Sequence, residues 1–395
     1  LCIFHIMNLR NNKFLYLSLL LALSSCGGGS SSPPSPVITL TASSEFVLVD
    51  SSVTIIWSSS NTSNCKAYGA WSGSKATTGN QEIIITSPGA NIFNISCSGS
   101  NGSRSASVTV EGYRETTGAS VDGYIRQADI FIDTNNSYTA DGNEVRTISD
   151  NNGKFIIKYS NGNLISLGGT DLDSGNALDD LLLLHKLTGH SNFKAITPIT
   201  SVAAFMKESS LVNSVLGIDL SLDILTFDPV AGKGDGGIND YLYEKGNQLT
   251  VIAYALQNTS NNLNSTSETT QDFFKAIAQE LDSEYAITKT KVNIETEAFI
   301  TKVTDNIIAK KKLIIAKEAR KNIISALASV IPVMKVRTSE VLSTAVFDFA
   351  TSTLQNDIQS IANGSAEANV IKIYEENIFD YIAADQDVDA AMLAQ

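Results

Sequence analysis

The spacing of apolar residues changes once along the chain, and this change constrains the fold more than any other feature. Between residues 37 and 112, short runs rich in β-branched and aromatic residues alternate with Ser, Asn and Gly turns. These runs are VITLTA (37–42), SVTIIW (52–57), QEIIIT (81–86), NIFNISC (91–97) and SASVTV (105–110). Several short strands at close spacing are typical of a β-sandwich. Residues 37–112 are therefore predicted to form a small β-sandwich.

After Gly168 and Gly169 the apolar residues recur three and four positions apart, which indicates amphipathic helices. The candidate N-caps are Thr197 (before Pro198), Asn176, Asn293 and Ser339. The predicted helices lie near 177–187, 198–208, 239–258, 270–284, 294–331, 339–362 and 366–384. We predict an all-α helical domain, arranged as a bundle, over residues 171–395.

The amino-terminal segment has the pattern of an export signal. We expect translation to start at Met7, so that Arg10 and Lys13 form a positive region ahead of an apolar run of about ten residues, 14–23. That run is short for a bilayer span, which takes about 20 residues. Residues 1–25 are therefore predicted to be a signal peptide.

The end of this leader, Leu23-Ser24-Ser25-Cys26, resembles the bacterial lipobox. The resemblance implies cleavage before Cys26, acylation of its thiol and insertion of the acyl chains into a lipid bilayer. Residues 26–36, which include GGGSSSPPSP, read as a Gly/Ser/Pro tether. An aspartate after the cysteine would resemble an inner-membrane retention signal, but the residue here is Gly27. We therefore expect an outer-membrane anchor, on the cell surface or the periplasmic face. The alternative is an ordinary secretory signal with a chance cysteine.

Two cysteines remain downstream of the leader, Cys65 and Cys97. In an exported protein such a pair reads as one disulfide. It would close a loop of about 33 residues, which corresponds to roughly 3–4 kcal/mol of stabilisation.

The same region resembles a bacterial immunoglobulin-like surface module. The matching features are Trp57 ending a strand, Cys65 after a Ser/Asn stretch, the Trp71-Ser72-Gly73 turn, Phe93 four residues before Cys97, and a strand that starts at Gly102. The resemblance implies a spacer or adhesive unit. Trp71 has two readings, a packed or turn-capping residue and a platform for a glycan.

A twelve-residue segment carries oxygen-bearing side chains at the spacing of a calcium loop. Positions 1, 3, 5, 7, 9 and 12 are Asp133, Asn135, Ser137, Thr139, Asp141 and Glu144. Calcium takes six to eight oxygen ligands, which this spacing supplies. Two departures are Tyr138 at position 6, where glycine is usual, and flanking segments that read as strands. The alternative is a solvated hairpin turn rich in Asn and Asp.

Residues 118–170 as a whole resemble the transthyretin-like or carboxypeptidase-regulatory-like β-domains of bacterial surface proteins. The resemblance is carried by Gly123, Ala128, Ile130-Phe131, Asp133, Asn135 and the SDNNGKF turn of 149–155. It implies a second β-module followed by a helical tail of unknown function. The complete expectation is a multidomain chain of two small β-sandwich modules followed by an all-α helical domain.

Charge and motif content narrow the function. With 28 basic and 41 acidic residues the net charge is −13, which disfavours nucleic-acid binding. Beyond the leader the only histidines, His185 and His190, are five apart, and the sequence contains no HExxH, GxSxG or P-loop motif. We expect His185 to end a helix as a solvated or C-capping residue. The chain is therefore predicted not to be an enzyme.

The leading functional hypothesis is a non-catalytic adhesion, binding or scaffold lipoprotein, with a polysaccharide or an envelope protein as partner. A periplasm-facing envelope assembly lipoprotein is the alternative. A carboxylate-dependent hydrolase is the third hypothesis, and it requires two carboxylates that face each other across a cleft.

Overall fold

The computed structural model describes residues 32–394, except 143, 160, 188–192, 235, 338 and 367. The predicted signal peptide, Cys26 and most of the predicted tether lie outside the described residues, as does His190. Strands occupy the chain from Val37 to Ile196 and helices from Pro198 to Leu393. The predicted order, a β-rich part followed by a helical part, is confirmed.

The β-rich part contains strands of very different length. They are β1 (Val37–Ala42), β2 (Phe46–Leu48), β3 (Ser52–Ser60), β4 (Asn64–Gly69), β5 (Gly73–Lys75), β6 (Thr78–Ile84), β7 (Gly89–Gly99), β8 (Gly102–Ser120), β9 (Ile125–Arg126), β10 (Asp129–Asp133), β11 (Arg146–Ile148), β12 (Lys154–Tyr159), β13 (Asn163–Leu167), β14 (Thr170–Asp171), β15 (Leu182–Lys186) and β16 (Phe193–Ile196). All five runs predicted as strands between 37 and 110 overlap strands of the structure.

The first module packs a three-stranded sheet, β1-β3-β6, against the amino-terminal part of a larger sheet that contains β8, β7, β4 and β5. On β3, Val53, Ile55 and Trp57 alternate inward and are buried, as the period of two predicts. Cys65 on β4 and Cys97 on β7 lie directly opposite each other and form a disulfide. The disulfide therefore joins neighbouring strands of one sheet, inside a core of its own.

Trp71 is a packed residue of this core. Only 6% of its surface is exposed, and its indole Nε1 donates to the carbonyl oxygen of Asn94 at 2.8 Å. Its ring packs edge-on against Trp57 and Phe93 at centroid distances of 5.3 and 6.1 Å. The packed interpretation of Trp71 is therefore confirmed.

One strand, β8, belongs to both β-regions. Its first half pairs antiparallel with β7, and its second half pairs with β12 and, in parallel, with β16. The chain therefore passes from the first β-region to the second without a break in hydrogen bonding around residues 112–118. The module limits 37–112 and 118–170 stay predictions. The second region also contains a sheet of four strands, ordered β11-β10-β13-β15, and the antiparallel pair β9 and β14.

The prediction of a helix near 177–187 is wrong. Within this segment Leu182–Lys186 forms β15, which pairs antiparallel with β13. Leu182, Leu183 and Leu184 are all buried, so both faces of the strand are covered. A strand buried on both faces reads as a continuous apolar run, which periodicity alone does not separate from a helix. His185 belongs to this strand and is buried. The prediction of a solvated or C-capping histidine at the end of a helix is therefore also wrong.

The remaining predicted helices are present, with more breaks than expected. The helices are α1 (Pro198–Phe205), α2 (Val212–Leu216), α3 (Ile238–Asn264), α4 (Gln271–Thr288), α5 (Glu297–Lys311), α6 (Lys317–Val330), α7 (Glu340–Thr351), α8 (Thr353–Ala362), α9 (Ala368–Glu376), α10 (Ile378–Gln386) and α11 (Ala390–Leu393). Each of the last three predicted helices is two helices, interrupted at Lys312, which has φ +54°, and at Ser352 and Asn377. Among the described residues no helix is long and apolar enough to cross a membrane.

The helix caps are only partly those expected. Thr197 caps α1 by accepting from the Thr200 backbone N–H at 3.0 Å, as predicted. For α5 the cap is Thr296 and not Asn293.

A single hydrophobic cluster extends from Ile125 in β9 to Leu393 in α11, so the second β-region and the helices share one core. Within the described chain, this core is separate from that of the first module.

Candidate functional sites: a polar loop and an acidic cavity

The segment from Asp133 to Glu144, here called the polar loop, connects β10 to β11. Asp133 ends β10, and its side chain is buried under the loop. Its Oδ1 accepts the backbone N–H groups of Asn135 and Ser137, both at 3.2 Å, and its Oδ2 accepts that of Tyr138 at 3.1 Å. One carboxylate therefore fixes the first turn of the loop.

The other predicted ligands belong to the same hydrogen-bond network. Asn135 Nδ2 donates to Asp141 Oδ2 at 2.6 Å, and Ser137 Oγ donates to the carbonyl oxygen of Thr139 at 3.0 Å. Glu144 accepts the backbone N–H of Asp141 on Oε2 at 3.1 Å and that of Thr134 on Oε1. The structure thus brings all six sequence-predicted residues into one loop.

Tyr138 takes the backbone conformation that glycine takes at position 6 of a calcium loop. Its φ is +58°, and Asn136 two residues earlier has φ +60°. The left-handed region is unfavourable for a tyrosine. Its ring, however, lies 6.0 Å from that of Phe205, which anchors it against α1. The departure from glycine therefore does not prevent the turn.

The residue types in the loop suit a hard cation, but the carboxylates are engaged with N–H donors. In the part of the chain that the structure describes, no three His, Cys, Asp or Glu side chains are grouped to hold a metal ion. Calcium would have to replace part of the hydrogen bonding of Asp133 and Glu144, and would draw further oxygens from Asn135, Ser137 and the Thr139 carbonyl.

A second polar site, here called the acidic cavity, lies where the segment after β14, the start of α3 and the helix α7 meet. It encloses about 180 Å³. Asp173 is paired with charged and polar side chains of the cavity, since its Oδ2 accepts from Lys233 Nζ at 2.5 Å and from the Tyr243 hydroxyl at 2.8 Å. Asp171 accepts the backbone N–H groups of Asp173 and Ser174 and the Ser174 hydroxyl.

The acids around this cavity perturb one another. Burial, followed by the charge of Asp171, raises the pKa of Asp122 well above its usual range, and Thr250 Oγ1 donates to Asp122 at 2.9 Å. Burial also raises the pKa of Asp171 itself. Asp348 is half-buried on α7, and burial together with Asp171 and Asp173 raises its pKa to about 6. Carboxyl groups with different environments in one cleft mark a functional-site candidate.

Close backbone approach makes this arrangement possible. Gly123 has φ +68°, and a Cβ atom there would lie 2.1 Å from Asp171 Oδ1. Any side chain at this position would therefore push Asp171 out of the cavity wall.

The sequence analysis missed the acidic cavity. Asp171 and Asp348 are 177 positions apart in the sequence, and no local motif links them. The only local sign is the run of Asp171 and Asp173 after two glycines, a composition that also suits a turn. No protein-family model matches the chain, and no curated protein gives a significant match.

Proposed function

We propose that this protein is exported, cleaved before Cys26, acylated there and held at the outer membrane as a non-catalytic adhesion, binding or scaffold protein. The observation that supports export most directly is the disulfide between Cys65 and Cys97, whose residues are 3% and 0% exposed. Disulfides form and persist outside the cytoplasm. The predicted signal peptide and lipobox point to the same compartment.

The path of β8 supports a scaffold role. The end of the predicted tether lies against the first module, where Asn101 Nδ2 donates to the Pro33 carbonyl at 2.6 Å and Asn61 Nδ2 to that of Ser35 at 3.1 Å. β8 begins beside this point and runs for 19 residues into the second β-region. A straight strand of that length spans roughly 60 Å. The first module would then hold the second β-region and the helices away from the lipid.

The finer identity of the modules belongs to the same proposal. We take the first as an immunoglobulin-like spacer and the second as a transthyretin-like or carboxypeptidase-regulatory-like β-module. We take calcium as the ion bound by the polar loop. The partner of the displayed part would be a polysaccharide or another envelope protein.

Fractionation of cells tests the proposal. We expect the parent to sediment with the outer membrane and the Cys26→Ala variant to leave it. Ser24→Ala is the matched control, because it keeps both the cysteine and a small residue before it. Protease treatment of intact cells then separates the two locations: a surface protein is digested, whereas a periplasm-facing assembly protein is protected. An unlipidated parent with free thiols would contradict the proposal.

A carboxylate-dependent hydrolase is the second candidate function, and the acidic cavity is the observation that favours it. Asp348, with its raised pKa, has the character of a general acid, and Asp173 beside Lys233 has that of a carboxylate base or nucleophile. Turnover of aryl glycosides that is lost in both Asp348→Asn and Asp173→Asn would establish it. Equal background hydrolysis of the aryl glycosides by the parent and both variants would contradict the hydrolase and leave the non-catalytic binding function.

A further inference from the structure

The acidic cavity is bounded by buried aromatic rings as well as by charged groups. Tyr243 on α3 and Phe347 on α7 are both buried and pack edge to face, with centroids 5.1 Å apart. Lys233 Nζ lies 4.7 Å from the centre of the Tyr243 ring. Because Lys233 already takes the cation position at this ring, Tyr243 and Phe347 offer a ligand apolar carbon, and the acids of the lining offer it negative charge. The cavity wall is therefore suited to a ligand that combines a positive charge with apolar carbon.

Both basic side chains of the cavity lining, Lys233 and Arg337, are already engaged. Lys233 pairs with Asp173. Arg337 directs its guanidinium to backbone carbonyl oxygens, those of Leu393 at 2.9 Å, Lys335 at 2.9 Å and Val333 at 3.2 Å. These contacts tie the segment before α7 to the carboxyl-terminal helix. They leave the remaining acids of the cavity without a cation from either side chain.

Three acids in the lining, Asp171, Glu340 and Asp348, have no cationic partner among the described residues, and two of them also lack a side-chain hydrogen bond. Within the described residues, Asp348 and Glu340 form neither an ion pair nor a side-chain hydrogen bond, and both border the cavity from α7. Burial and the neighbouring Asp171 and Asp173 raise the pKa of Asp348 to about 6, which means that its negative charge is poorly compensated. A bound cation would supply the missing positive charge.

We propose that the acidic cavity binds a small organic cation, an alkylammonium or guanidinium compound, with its charge beside Asp348 and its carbon chain against Tyr243 and Phe347. This inference deepens the proposed function, on which it rests, by naming the ligand class of a displayed binding protein. The volume of about 180 Å³ limits the ligand to a small molecule or the end of a flexible chain. A neutral sugar would leave the excess negative charge uncompensated.

Calorimetric titration of the full chain in detergent tests the proposal, with putrescine as the probe and 1,4-butanediol as its neutral counterpart. We expect putrescine to bind and butanediol not to bind at about 10 mM. Asp348→Asn should weaken putrescine binding at least about tenfold, because one compensating charge is lost. Glu45→Gln is the matched control, because it also removes one negative charge but at an exposed residue of the first module. It should leave putrescine binding unchanged.

Acidification gives a second readout on the unaltered protein. The charged groups that line the cavity together with Asp348 are Asp171, Asp173, Lys233, Arg337 and Glu340, and of these Asp171 and Asp173 raise its pKa. Because a proton on Asp348 competes with the ligand, binding should weaken about tenfold between roughly pH 7.5 and pH 5. The Asp348→Asn variant should lose most of this dependence.

A conservative change at Tyr243 separates the ring from its hydroxyl. Tyr243→Phe keeps the aromatic face and should keep binding within about threefold, whereas Tyr243→Leu should lose about tenfold. Thermal melting of each variant shows whether it is folded.

Three results would overturn the inference: equal heats with putrescine and butanediol, unchanged affinity in Asp348→Asn, or binding that does not depend on pH. The source of the cation is resolved by comparing free putrescine with N-acetyl-lysine amide, which mimics a lysine side chain of a protein partner. Failure here is distinct from failure of the proposed function, since a chain that fractionates with the membrane but does not bind putrescine contradicts only the ligand assignment.

Discussion

Asp133 organises the polar loop, whether or not a cation joins it. Its carboxylate accepts three backbone N–H groups. Asp133→Ala leaves those of Asn135 and Tyr138 without a partner, whereas that of Ser137 also donates to Asn135 Oδ1 at 2.9 Å. We expect a loss of roughly 2 kcal/mol in the free energy of unfolding, measured by urea denaturation in the presence of chelator. Asp133→Asn, which retains one acceptor oxygen, should lose less. Full stability of Asp133→Ala would contradict the loop geometry.

Calcium binding by the same loop is tested on the parent. We expect chelation to lower the melting temperature of the parent and not that of Asp133→Ala, because ligand binding stabilises only the state that binds. If the parent had the same melting temperature with calcium and with chelator, the loop would be a hydrogen-bonded turn that binds no calcium.

Tyr138 shows the limit of prediction at the residue scale. The order of oxygen-bearing residues from Asp133 to Glu144 follows from spacing alone. The tolerance for tyrosine at a left-handed position does not, because it depends on Phe205, 67 positions further along the chain. Asp348 is the same case, since its perturbing neighbours come from a distant segment.

The titration of Asp348 predicts how stability depends on pH. Its pKa is raised to about 6 in the folded state, so the stability linked to its protonated form is present below the usual pKa and is lost as pH rises through about 6. Because Asp348 is half exposed, we expect only about 1 kcal/mol. Asp348→Asn should be more stable than the parent near pH 7.5 and equal to it near pH 4, by urea denaturation. Parallel pH profiles would contradict this.

At the element scale, β15 is the clearest difference between expectation and structure. Side chains from α1 and from the residue before α4 cover its outer edge. Thr270 Oγ1 both accepts from the Leu182 N–H and donates to the Leu182 carbonyl, each at 2.9 Å. Ser201 Oγ accepts from the Leu184 N–H at 2.8 Å. These hydroxyls replace a neighbouring strand. Because they come from segments outside the strand, no local pattern distinguishes β15 from a buried helix.

Thr270 therefore gives an element-scale prediction. Thr270→Val keeps the shape and leaves the Leu182 N–H and carbonyl unpaired, which should lower the free energy of unfolding by about 1–3 kcal/mol. Thr304→Val is the matched control, because the buried Thr304 hydroxyl has no hydrogen-bond partner among the described residues. We expect it to be neutral or stabilising in the same denaturation assay. Equal effects of the two substitutions would contradict the role of Thr270.

The disulfide stabilises one element pair, β4 and β7, within the separate core of the first module. The Cys65→Ala/Cys97→Ala variant should lose about 3–4 kcal/mol in that module. Hydrogen-exchange mass spectrometry should then show faster exchange over 37–112 and little change in the helices. Reduction of the parent is the control. Faster exchange throughout the chain would show that the two cores unfold together.

At the scale of the whole molecule, the order of a β-rich and a helical part follows from periodicity. The sharing of one core by the second β-region and the helices does not, because it is built from contacts between segments far apart in the sequence, from Ile125 to Leu393. The continuity of β8 through residues 112–118 could not be predicted from the sequence either, since it depends on pairing with β7, β12 and β16. The acidic cavity is a product of this shared packing.

The central claim is that the mature chain begins at an acylated Cys26 and carries the disulfide-linked module outside the cytoplasm. Growth with an alkyne-tagged palmitate analogue, followed by mass mapping of the amino-terminal peptide, tests it most directly. We expect the label on Cys26 in the parent, none in Cys26→Ala, and Cys65 joined to Cys97 in the same preparation. An unlabelled parent whose mature chain begins at another residue, with Cys65 and Cys97 as free thiols, would contradict the claim.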